Sequence, residues 1–167
     1  MRVVVTGTPG TGKTTATDLV ESDLPVVHLN DVVRDEGLYT GVDEKRDTLV
    51  ADLDAVREWV GDRQAIVESH LAHHLDADRV VVLRCEPSVL RERLLARGES
   101  VAKADENAES EALDVVLAEA VERHGLDRVF EIVTTDREPA DVAREIEAVI
   151  AGTREPSAGE VSYLEYL

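Results

Sequence analysis

At 167 residues with 43% apolar content, the chain is long enough for one domain with its own core and too apolar for a disordered segment. Thirty-six acidic residues face 18 basic ones, a net charge of −18, and without a basic stripe the chain is not expected to bind bare nucleic acid. The single cysteine, Cys85, excludes an internal disulfide framework, and no apolar stretch nears the roughly 20 residues that span a bilayer.

Met1-Arg2-Val3-Val4-Val5 runs straight into a buried strand and is no signal peptide, so a cytoplasmic protein is expected. A glycine-rich turn follows, then a helix over 14–22. A second strand covers 25–29. Leu49, Leu53, Val56 and Val60 recur at helical spacing, which predicts an amphipathic helix over 47–61. Strands at 65–67 and 79–84 come next, with Cys85 read as a buried structural thiol. A helix over 87–97 ends at Gly98, and a long helix over 106–124 ends at Gly125. A fifth strand spans 130–133, and a last helix runs over 139–151 with Pro139 at its start and Gly152 after it. Apolar strands alternating with helices imply an α/β fold: a five-stranded parallel sheet covered on both faces, in one domain over 1–151. Residues 152–167 read as a linker ending in an apolar tip of Val161, Tyr163, Leu164, Tyr166 and Leu167, able to dock on the body or on another chain.

The turn Gly7-Thr8-Pro9-Gly10-Thr11-Gly12-Lys13-Thr14 matches G-x-x-x-x-G-K-[ST] in full, between a buried strand and a helix. Gly10 and Gly12 let backbone N–H groups converge on an anion, and the positive helix end adds to that field. Lys13 would reach the β- and γ-phosphates of ATP, and the Thr14 hydroxyl would hold Mg²⁺. Thr15, in the first helical turn, can face the α-phosphate.

Further motifs follow the strands. Asp31 and Arg34 come directly after the second strand, where ligands of an open α/β sheet sit, so Arg34 could grip an acceptor phosphate with its planar fork. Glu68 ends the third strand, the place of a carboxylate that holds Mg²⁺ through water. A neutral His70 could orient water or phosphate. His73 and His74 complete a His-x-x-His-His run; it follows a strand and no matching ligand pair stands elsewhere, so zinc is not expected. Arg93 and Arg97 put like charges four apart on one helical face, which makes sense against a polyphosphate. Lys103, one of three lysines beside Lys13 and Lys45, suggests a specific use.

On these segments the chain resembles, over residues 3–150, the small adenylate kinases of isoenzyme-six type, known in archaea and eukaryotes and linked to small-subunit ribosome assembly. The segments are Thr6 through Thr15, Asn30-Asp31-Val32-Val33-Arg34 through Tyr39, Glu68-Ser69-His70, and Arg93 through Gly98 on to Asn107. The resemblance implies a P-loop nucleoside monophosphate kinase domain, with a monophosphate-binding segment at about 29–52 and a short lid at about 97–107. It implies a monophosphate contact for Arg34, an ATP contact for Arg97 and a site role for His70. The loop Thr134-Thr135-Asp136-Arg137 would lie beside adenine. The family has Asp-x-His where this chain has Glu68-Ser69-His70, and commonly an aromatic where it has Glu99.

The expected activity is Mg²⁺-dependent transfer of phosphate from ATP to AMP or another nucleoside monophosphate, with possible ATPase activity. The resemblance also implies a basic small-subunit ribosomal protein as partner and a role in ribosomal RNA maturation. A partner-stimulated ATPase assembly factor is therefore the rival reading, and a kinase for another small acceptor a third. The acidic excess leads to the expectation of a salt-adapted, haloarchaeal member, because about 1 M salt shrinks the Debye length to ~3 Å and screens the self-repulsion; binding a basic partner is the other use such a surface could have.

Overall fold

The computed structural model describes residues 1–45 and 48–167. In chain order the elements are β1 (Val3–Thr6), α1 (Lys13–Asp18), β2 (Val26–His28), α2 (Leu29–Asp35), β3 (Tyr39–Asp43), β4 (Thr48–Ala51), α3 (Leu53–Val60) and β5 (Ile66–Glu68). They continue with β6 (Arg79–Arg84), α4 (Pro87–Ala96), α5 (Val101–Ala112), α6 (Val115–His124), β7 (Val129–Val133) and α7 (Pro139–Ala151). β2, β5, β1, β6 and β7 form one sheet in that order, every pairing parallel. β3 and β4 form a separate antiparallel hairpin.

Two cores follow from the period of two along each strand. Val4, Val67, Val80 and Val82 point to one face, where Leu29, Val33, Val56, Val60, Leu117 and Ala120 of α2, α3 and α6 cover them. Val3, Val5, Ile66, Val81, Leu83, Phe130 and Ile132 point to the other face, under Ala16 of α1 and Val142, Ile146 and Val149 of α7. A third cluster joins buried Cys85 to Leu90, Leu94 and Ala104, fixing α4 and α5 beside the sheet's carboxyl edge.

Three expected helices change. The helix begins at Leu53, and Thr48–Ala51 is a strand; Asp47 lies outside the described residues. Asp52 caps α3, its Oδ1 accepting from Ala55 N at 3.2 Å, while its N–H donates to Leu38 O at 2.9 Å and ties the chain to the hairpin. Leu49 matched the helical spacing but sits exposed on the hairpin. The long helix over 106–124 is two helices, broken at Asp114, which adopts φ 57°. The break frees Glu111 O to accept from Arg84 Nη2 at 3.1 Å and lets Asp114 reach the same guanidinium. α1 stops at Asp18, short of residue 22. β3 had no forecast, and α2 is the solvated helix on which Arg34 could alternatively pair with Asp31 or Asp35.

The tail packs back on the body. Ser157 N donates to Val129 O at 3.0 Å, and Gly159 N and Glu160 N both donate to Glu131 Oε1. Tyr163 stacks over buried Arg84, 5.3 Å from the ring centroid, while Leu164 and Leu167 stay exposed.

Candidate active site

The loop between β1 and α1 is shaped by backbone that only glycine tolerates. At Gly7 (φ 148°) a Cβ would stand 2.7 Å from Leu83 O, and Gly12 (φ 93°) occupies the left-handed region where it opens α1. Thr8 O accepts from Thr11 Oγ1 at 2.9 Å and closes the turn. Neighbouring elements clamp it: Thr134 Oγ1 donates to Thr11 O at 2.9 Å, and Thr8 Oγ1 donates to Glu111 Oε1 at 3.0 Å.

Lys13 lies buried inside this loop, its Nζ donating to Gly7 O at 3.0 Å and Thr8 O at 3.1 Å. Burial pulls its pKa from 10.5 down to about 8; Glu68 opposes that shift and Arg97 adds to it. An ammonium held among carbonyls at the mouth of a helix can turn to an incoming phosphate, an exchange of neutral acceptors for anionic ones. Thr14 Oγ1 donates to Glu68 Oε1 at 2.9 Å. Glu68 ends β5, directly beside β1, because Val5 and Glu68 are partners in register. The hydroxyl and carboxylate therefore converge as hard oxygen donors, a set that fits Mg²⁺.

His28 joins this pair from β2. Its Nδ1 meets Glu68 Oε1 at 2.7 Å and its Nε2 meets Asp18 Oδ1 at 2.8 Å. Burial lowers its pKa, but the bonds to Glu68 and Asp18 outweigh burial and leave it raised above 6.5. His70 behaves in the opposite way: burial, and then the charge of Lys13, push its pKa down to about 4. Its ring is neutral across the physiological range.

Beside the loop opens a cleft of about 300 Å³, lined by Gly10, Gly12, Thr15, Arg93, Thr134 and Arg137 among others. Arg93 Nη2 donates to Thr134 O at 3.2 Å and its Nη1 to Gly10 O at 3.4 Å, so this arginine braces the cleft wall. Arg97 caps α4, more than half exposed, 3.8 Å from Glu99, and Lys103 pairs with the same Glu99 at 3.2 Å. Arg34 stands apart from the cradle's bonds: it is 61% exposed on α2 and holds Asp35 at 3.1 Å and Asp31 at 3.3 Å.

The AAA domain family matches residues 3–114, which carry the cradle, Glu68 and α4. The chain belongs to this family. Relatives named "Putative adenylate kinase" from Natronomonas pharaonis and Halobacterium salinarum are 63% and 59% identical, each alignment covering all of both chains. A relative of the same name from Methanosarcina acetivorans is 44% identical over 90% of this chain and 86% of its own. Among solved structures, a shikimate kinase from Bacteroides thetaiotaomicron superposes with a TM-score of 0.56 at 17% identity, over 90% of this chain and 98% of that one. At that identity the likeness shows the fold alone, a P-loop kinase-like α/β sheet.

Two members of the site escaped the sequence reading. His28 gave no local signal, since only the pairing of β2 with β5 brings it to Glu68. Glu111 is likewise a helical acid among many, yet it is 2% exposed and accepts from Thr8, Arg84 and Cys85 N. Arg84 did carry a hint: an arginine ending the run Val80-Val81-Val82-Leu83 requires buried partners.

Proposed function

We propose that the protein is an adenylate kinase, transferring the terminal phosphate of ATP to AMP or a related nucleoside monophosphate. The observation that carries this is the buried Lys13 inside a clamped phosphate loop, next to the Thr14–Glu68 oxygen pair. The names of the relatives support it.

In this reading the N–H groups of Gly10, Gly12, Thr14 and Thr15 cradle the triphosphate, and Lys13 swings from the loop carbonyls to the β- and γ-phosphates. Thr14 and Glu68 would hold Mg²⁺, which supplies charge neutralisation on the transferred group. Neutral His70 orients the acceptor phosphate or water without adding charge. Arg97 closes over ATP from the lid at about 97–107, and Arg34 brings the monophosphate from the segment at about 29–52. Adenine lies in the cleft between Arg93 and Arg137. Proximity and preorganised charge supply the rate, with no covalent intermediate. The test is ADP formation from ATP with AMP, CMP, UMP, GMP or no acceptor, at high salt. Acceptor-independent hydrolysis alone would defeat the kinase reading.

The net charge of −18 favours a second role, ATP-driven assembly with a basic small-subunit ribosomal protein during ribosomal RNA maturation. ATP hydrolysis stimulated by such a protein but not by AMP would favour it over the first. The same charge and the haloarchaeal relatives support a salt-adapted protein of the cytoplasm. None of the described helices is long and apolar enough to cross a membrane.

A further inference from the structure

Behind the phosphate loop, on the far side of Thr6, stands a cluster that the kinase reading does not use. A short turn after β5 (Ala72–His74) presents His73 and His74, and α6 brings Glu119 to meet them. No ligand pair elsewhere among the described residues matches these histidines, but α6, distant in sequence, packs against the turn and adds a single carboxylate donor. His73 Nε2 is 2.7 Å from Glu119 Oε2, His74 Nε2 is 3.7 Å from the same oxygen, and the three donor atoms all lie within 4.8 Å of one another.

We propose that His73, His74 and Glu119 form a binding site for a borderline divalent transition cation such as Zn²⁺, separate from the Mg²⁺ pair at Thr14 and Glu68. Two imidazoles and one carboxylate suit that class, whereas Mg²⁺ and Ca²⁺ want oxygen alone. A cation about 2.1 Å from each donor keeps tetrahedral ligand atoms roughly 3.4 Å apart, and the observed 2.7 and 3.7 Å bracket that spacing. Small side-chain rotations complete the geometry, and the fourth position is open to water.

The support around the donors is already built. His73 is 1% exposed, and its Nδ1 lies 2.7 Å from Thr6 Oγ1, the outer-shell partner that orients a ligating imidazole. His124 Nε2 meets His73 O at 2.8 Å, and Arg57 donates to His74 O at 3.3 and 3.4 Å, so both ligand-bearing residues have their backbone pinned. Without a cation, His73 Nε2–H donates to Glu119. With one bound, the Nε2 lone pair faces the metal and the proton sits on Nδ1, donating to Thr6. Thr6 immediately precedes Gly7, so the cation would tie α6 to the root of the phosphate loop.

The experiment uses tag-free, chelator-treated full-length protein in excess Mg²⁺, titrated with Co²⁺ and followed by visible d–d absorption, then with Zn²⁺ as competitor. One equivalent of Co²⁺ with intense bands, displaced by Zn²⁺, is expected. Thr6→Val should weaken Co²⁺ binding about 10- to 100-fold, and Glu119→Gln, which removes a ligand, by at least as much. His74→Ala, on a half-buried side chain, provides a second variant that leaves the core intact, and it should abolish the bands. Absence of a one-equivalent spectrum in the wild type would overturn the site, as would unchanged Co²⁺ affinity in folded Glu119→Gln or His74→Ala.

Discussion

Lys13 and Arg34 are both cations proposed to meet phosphate, and the protein treats them in opposite ways. Lys13 is 8% exposed, bonded to the loop around it, and that loop is clamped by Glu111 and Thr134. Arg34 is solvated on α2, beside a hairpin whose Tyr39, Val42 and Val50 are exposed, and its bonds go to neighbours in its own helix. The first arrangement is preorganised: the fold has already met the desolvation cost before a nucleotide arrives. On the proposed acceptor role, the second would have to close on its ligand, trading exposed ion pairs of little worth for a buried contact. The contrast teaches that the proposed triphosphate end is held by the core, whereas the proposed monophosphate end is left exposed to solvent.

The largest effect should come from the network under the loop. Arg84 is fully buried against Glu111, Glu131 and Asp114, so Arg84→Met leaves buried carboxylates unpaired. It should cost about 3–5 kcal/mol in denaturant unfolding. A variant as stable as the wild type would mean that the clamp does not rest on this charge. Next is Lys13→Ala, expected to lower kcat by a factor on the order of 10² to 10³ in a coupled ADP assay. In the wild type, ATP affinity measured by titration should weaken as pH climbs past about 8, where Nζ sheds its proton.

His70 gives a smaller, pH-dependent effect. In the unfolded chain it gains a proton as pH falls through about 6.5, while in the folded protein it resists until about 4. The unfolded state therefore binds more protons in that window, and stability falls with pH by up to about 3 kcal/mol. His70→Asn should flatten that part of the curve relative to wild type; parallel curves would exclude the assignment. The smallest change is at the exposed end. Arg34→Ala should leave the Tm unaltered and raise KM for AMP about tenfold or more, with KM for ATP unchanged. Equal rises for both nucleotides would erase the distinction between the two ends.

Much of this protein was legible in one dimension because its signals are local. The run Val3-Val4-Val5, the glycine spacing up to Lys13-Thr14, and the apolar strand of Arg79–Arg84 each specify backbone conformation and burial within a few residues. So do Pro139 and Gly152 around α7. The sheet and the phosphate loop follow from them. The hairpin and the split at Asp114 were hidden, since Leu49 fits helical spacing by accident and the left-handed Asp114 is fixed by Arg84, 30 residues away. The polar partnerships were hidden for the same reason. Register placed His28 on Glu68, and helix packing placed Glu111 on Thr8 and Glu119 on His73. A buried polar group must find a partner wherever the fold provides one, and that choice belongs to contacts across the chain rather than along it.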